Sequence, residues 1–185
     1  MFSSLCFTFF SLSAQVITAR TAFQSGLANI VEHYPNQFKN LAGEVITESP
    51  QSTDYRSVVT LKGSEECLVT KFSAKGKEVY SWQAVMLTTE NFEEALKKYK
   101  SLYNSIQRLA VQINGANAVL RSEYEIPTEE KKFNSIIFTG SDKDENLKKL
   151  KVELTLQNEL LEWVIKVLVY EKEREDDERG EIIDQ

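Results

Sequence analysis

The chain is predicted to fold as one α+β domain in the order α-β-β-β-α-β-β-β, with two main helices packed on an antiparallel sheet. Three observations predict it. Apolar residues recur at helical spacing from Phe92 to Ile113. Elsewhere apolar and polar residues alternate in runs of strand length. Short glycine-bearing connections separate the early runs, which favours antiparallel hairpins. A chain of 185 residues suits one ordinary domain with a real core.

The first helix is predicted from about Val16 to Tyr34, where Phe23, Leu27, Ile30, Val31 and Tyr34 form one apolar stripe. Pro35 stops it, because proline denies the preceding residue an easy helical conformation. Asn36 restarts a short turn carrying Phe38 and Leu41, closed by Gly43. Three strands follow. In Tyr55–Leu61, residues Ser57, Val59 and Leu61 share a face. In Cys67–Ser73, Leu68, Thr70 and Phe72 do so, and in Val79–Leu87, Tyr80, Trp82, Ala84 and Met86.

The second helix carries the strongest periodic signal. Asn91 with Glu94 forms a capping-box pattern. Phe92, Leu96, Tyr99, Leu102, Tyr103, Ile106, Leu109 and Ile113 hold one face, and Asn114-Gly115 supplies the left-handed cap. Strands are then expected at Leu120–Ile126, Phe133–Thr139, Leu150–Leu156 and Trp163–Tyr170. Each half thus ends on a strand containing a tryptophan, Trp82 or Trp163, as an old duplication would leave it. Both indoles are expected to be buried against helix 2.

The last strand is apolar on both faces, as central or covered strands are. With Trp163, Ile165, Val167 and Val169 inward, Val164, Lys166, Leu168 and Tyr170 point outward and form the candidate binding surface. Its expected cover is a protein partner or a second copy in a homodimer. Helix 1 or the N-terminal segment of the same chain is the alternative.

Residues 1–14 are an uncharged apolar run ending in small residues, which predicts an export signal cleaved before Gln15, lacking the usual basic start. The expected location is periplasmic or secreted. The run is too short to span a bilayer, and the expected mature chain holds no transmembrane segment. The expected domain covers residues 15–170. Residues 171–185 bring eight carboxylates against three cations and read as an acidic, solvated tail. The net charge of −6 and the absence of an overall basic footprint exclude nucleic acid as the expected partner.

No catalytic, cofactor or metal residues are predicted. His33 is the only histidine and sits at a helix end, where a triad or zinc site would lack its partners. Cys67 is the only cysteine of the expected mature chain and reads as a small buried hydrophobe. Asp142, Asp144, Asn146 and Glu153 match some positions of a calcium loop, but Leu147 stands where the sharp turn needs glycine. Lys97, Lys98 and Lys100, and Lys148, Lys149 and Lys151, read as solvated faces. There is no nucleophile elbow, phosphate loop, dinucleotide fingerprint or paired-cysteine motif.

Phe38-x-x-Leu41-x-Gly43, followed by Tyr55-x-Ser57-x-Val59-x-Leu61-x-Gly63, resembles a group of small exported proteins of Gram-negative bacteria, many without assigned function. The layout also resembles the secretion-chaperone-like fold, in which helices cover one face of an antiparallel sheet. That resemblance implies binding of partner polypeptides. The leading expectation is therefore a non-catalytic binding or accessory protein of the bacterial cell envelope. A carrier of a small apolar ligand or lipid, with a pocket between sheet and helix 2, is the second, and an unrecognised enzyme the third.

Overall fold

The computed structural model describes residues 20–74, 77–140, 147 and 149–171. The export signal, Asp142–Asn146 and residues 172–185 of the acidic tail lie outside the described residues. Glu171, expected to begin that tail, instead pairs with Leu150 as the last residue of a strand.

Two helices are described, α1 (Ala22–Glu32) and α2 (Phe92–Ile106). Between them lie β1 (Ala42–Glu48), β2 (Ser52–Ser57), β3 (Glu66–Ala74) and β4 (Lys77–Thr89). After α2 come β5 (Ala110–Ile113), β6 (Ala116–Val119), β7 (Phe133–Thr139), β8 (Leu150–Glu159) and β9 (Glu162–Glu171). The fold is α+β, as predicted, with more strands than predicted. Seven form one antiparallel sheet in the order β1-β2-β3-β4-β9-β8-β7, while β5 and β6 form a separate hairpin. Each half contributes a meander, and the two meanders meet where β4 pairs with β9.

Helix α1 begins with a full capping box. Thr21 Oγ1 accepts from the Gln24 amide at 3.2 Å, and Gln24 Oε1 accepts from the Thr21 amide at 3.0 Å. The stripe Leu27, Ile30 and Val31 is buried. The helix is shorter than expected and gives way to 3-10 turns at Tyr34–Asn36 and Lys39–Leu41. At α2 only half of the expected box forms. Asn91 Oδ1 accepts from the Glu94 amide at 3.1 Å, but the Glu94 carboxylate accepts from the Thr89 hydroxyl at 2.8 Å.

Three sequence expectations are corrected. Gly43 lies in β1 rather than closing a turn. That strand escapes detection because six of its seven residues are exposed, so no alternation marks it. Helix α2 stops at Ile106, not Ile113. Leu109, Val111 and Ile113 are buried while Ala110 and Gln112 are exposed, a period of two. Residues i and i+4 share a side under either period, so Leu109 and Ile113 imitated a continuing helix. Asn114 (φ 49°) and Gly115 (φ 82°) are then the two-residue turn of the β5–β6 hairpin, not a helix cap. Finally, residues 122–126 form no strand. The Ser122 carbonyl accepts instead from Tyr103 Oη (3.2 Å) and Gln107 Nε2 (2.9 Å) at the end of α2.

The core lies between the helices and one sheet face. Trp82, Ala84, Ile165, Val167, Val169, Val152, Leu154 and Phe138 are fully buried there. Strand pairing puts them on one side, with Trp82 opposite Val169, Ala84 opposite Val167 and Phe138 opposite Val152. Helix α2 covers that side. Its Phe92 ring lies 4.8 Å from Trp163, Tyr103 lies 5.6 Å from Phe138, and Tyr99 Oη donates to the Leu154 carbonyl at 3.3 Å. Both tryptophans are buried on the α2 side, as the alternation predicted.

Candidate binding surface

Val164, Lys166, Leu168 and Tyr170 alternate with the core row on β9 and therefore lie on the opposite sheet face. Cross-strand pairing extends this face. Val85 and Thr155 flank Lys166, and Gln83 and Glu153 flank Leu168. Leu68, Phe72, Val79 and Ile137 share it. It is a mixed surface of aliphatic and aromatic groups interleaved with short polar ones, and α2 lies on its other side. Helix α1 does not cover it either: α1 joins the same core as α2, with Gln24 Nε2 donating to the Ser105 carbonyl of α2 at 3.0 Å. The row is sheltered, with Val164 and Tyr170 only 6% and 5% exposed, while Leu168 and Lys166 are half-buried.

The polar groups on this face are mostly committed to one another. Lys166 Nζ donates to Glu159 at 2.7 Å, Thr70 Oγ1 to Asp54 at 2.7 Å, and Ser135 Oγ to Glu153. Thr155 Oγ1 is buried without a partner among the described residues. Paired charges add little net attraction for a charged ligand, so the chemistry available here is apolar contact.

A groove of about 410 Å³ opens elsewhere, at the β2–β3 connection, lined by Arg56, Ser57, Leu61, Lys62, Ser64 and Cys67 among others. Its walls are structural. Ser57 Oγ accepts from Trp82 Nε1 at 2.9 Å and donates to the Val59 carbonyl at 2.8 Å. The Leu61 amide donates to Cys67 Sγ at 3.4 Å, and the Ser64 hydroxyl lies 3.2 Å from the same sulfur. The motif residues thus hold the connection against the core. Phe38, Leu41 and Leu61 are buried, and a Cβ at Gly43 would sit 2.8 Å from the Arg56 carbonyl oxygen.

The remaining sequence candidates are scattered. His33 caps α1, with Nδ1 at 2.7 Å from Asn40 Nδ2. Leu147 is buried, and Glu153 accepts from Ser135. Lys97, Lys98 and Lys100 ride on α2, while Lys151 lies on the opposite sheet face and Lys149 pairs with Glu171 at 3.7 Å. Among the described residues, no group of three histidine, cysteine or acidic side chains is placed to hold a metal ion. Burial pushes the Tyr99 phenol far above its ordinary range, but Tyr99 is a core residue rather than a group facing a cleft. No described helix is long and apolar enough to cross a membrane.

One feature escaped sequence reasoning. Leu160 and Leu161, the two-residue turn between β8 and β9, are 98% and 85% exposed and both have positive φ, 48° and 82°. They sit between Glu159 and Glu162 in the connection expected between the last two strands, but leucine is not a residue type that signals a left-handed turn.

No known family model, curated protein or solved structure matches this chain.

Proposed function

We propose that the protein is an exported, non-catalytic binding or accessory protein of the bacterial cell envelope, and that it takes a polypeptide partner across the sheet face opposite its helices. The observation that carries this reading is the row Val164, Leu168 and Tyr170, in which Leu168 keeps exposed surface between two sheltered neighbours. It lies on a central strand, is apolar, and points away from the layer of helices that forms the core. A sheet face meant only for water is ordinarily polar at alternate positions. The apolar run at residues 1–14 supports the envelope as the place of action. The carrier reading calls for a cavity between α2 and the sheet. The contacts of Tyr99, Phe92 and Tyr103 fill that layer with side chains, and the described groove lies elsewhere.

The test compares wild type with Leu168→Glu by sedimentation at micromolar concentration. It also reads the N-terminus of protein recovered from the host envelope by mass spectrometry. The proposal expects a chain starting at Gln15, and a folded variant that loses self-association or partner binding. A strictly monomeric wild type whose variant unfolds makes this face an internal core. An intact Met1 in the cytosolic fraction removes the envelope from the proposal.

A further inference from the structure

The chain closes two hairpins with two-residue turns and fills them in opposite ways. Asn114-Gly115 joins β5 to β6 at φ 49° and 82°, using residue types that tolerate left-handed backbone. Leu160-Leu161 joins β8 to β9 at nearly the same angles, 48° and 82°, using a residue type that this backbone disfavours. The same leucines are the most exposed large apolar side chains among the described residues. Neither property helps the domain fold. Backbone strain concentrated at an exposed, apolar tip is a reason to look for a use.

We propose that the Leu160-Leu161 turn inserts into a membrane surface of zwitterionic headgroups. The proposal is independent of the sheet-face reading, since it concerns the end of the sheet and not its face. Size separates a bilayer from a protein pocket as the occupant. A stable protein interface covers about 800 Å² on each partner. Here the apolar surface ends within one residue on either side, at the exposed Glu159 and Glu162. A bilayer requires no matching surface and accepts a convex apolar knob to a depth of about 5–10 Å. Phe133, half-exposed and opposite Gln157 on the adjoining strand, is set two positions back from the base of the turn.

The charges around the tip select the headgroup. Lys131 and Lys132 lie beside it, because the Asn158 amide donates to the Lys132 carbonyl at 2.8 Å. The Lys132 ammonium sits 5.2 Å from the Trp163 ring centre. Glu159 and Glu162 face each other at the base of the turn. Lys131 is paired with Glu125 at 2.8 Å and Glu159 with Lys166 at 2.7 Å, which leaves Lys132 and Glu162 as opposite charges beside the tip. Such a balanced collar gives no net attraction to an anionic surface and suits headgroups carrying both signs.

The test uses the full chain in flotation with phosphatidylcholine vesicles, and with vesicles also containing phosphatidylglycerol. The comparison variant is Leu160→Asn with Leu161→Gly. Wild type is expected to float with phosphatidylcholine and no better with the anionic mixture. The double variant is expected to lose more than about tenfold in partitioning, while its melting temperature rises by about 2–4 °C as the turn gains suitable residues. A Leu161→Trp chain should be quenched by brominated lipid acyl chains. The proposal is overturned by a wild type that does not float, by a double variant that partitions equally, or by an unquenched tryptophan in bound protein. Self-association lost in the double variant without any vesicle binding would overturn it too and assign the tip to a second copy.

Discussion

Both faces of β9 carry large apolar side chains in sequence, the outward one interrupted by Lys166, and they differ in what they meet. Trp163, Ile165, Val167 and Val169 face α2 and pack among rings and aliphatic groups with almost no exposed surface. Val164, Leu168 and Tyr170 face the other way, among Gln83, Glu153, Thr155 and Lys151, with no described helix over them. Alternation assigns residues to faces, but it does not say which face has a cover. The first face is explained by folding. On the second, Val164 and Tyr170 are sheltered without a described helix over them and Leu168 keeps exposed surface, and the proposed function rests on that combination.

The comparison breaks most easily on its buried side. Trp82→Ala empties a fully buried site and removes the donor to Ser57 Oγ, so a loss of about 3–5 kcal/mol is expected in denaturant unfolding. Trp163→Ala should cost nearly as much through its contact with Phe92. Indoles freely quenched by iodide in the folded wild type would mean that the two faces have been exchanged.

A smaller effect sharpens the same side. Tyr99 is buried between α2 and β8, and burial raises its pKa well above the ordinary 10.0. A raised folded-state pKa leaves stability intact below the unfolded value and removes it as pH climbs beyond. Unfolding free energy should therefore fall from about pH 10 upward as the unfolded tyrosine ionises and the folded one does not. Tyr99→Phe should flatten that fall while weakening the protein slightly at neutral pH, where it loses one hydrogen bond worth about 1 kcal/mol. An alkaline limb identical in both proteins would place Tyr99 in water.

Much of the buried side was legible. The helical stripe of α2, the alternation of β4, β8 and β9, and both tryptophans follow from periodicity alone. The motif residues Phe38, Leu41, Ser57 and Leu61 were visible as a pattern, though only the structure shows that they anchor the β2–β3 connection. Three things were not legible, each for a physical reason. β1 has no buried face to imprint a period. Leu109 and Ile113 satisfy two periods at once. The Leu160-Leu161 turn uses residues that local preference assigns to strands and helices, so a connection is legible there but not its two-residue, left-handed form. That Val164, Lys166, Leu168 and Tyr170 share one face of β9 follows from its strict period of two.

The contrast between the two faces is tested most directly by adjacent substitutions of identical chemistry, Val167→Glu and Leu168→Glu, compared by their unfolding free energies. Val167 is fully buried against the helix layer, and a carboxylate there should cost more than about 4 kcal/mol or prevent folding. Leu168 is half-buried on the opposite face beside Glu153, and the same change should cost about 1 kcal/mol, mostly like-charge repulsion across the strand pair. Equal and severe losses at both positions would contradict the account, because they would make both faces of β9 interior to the fold.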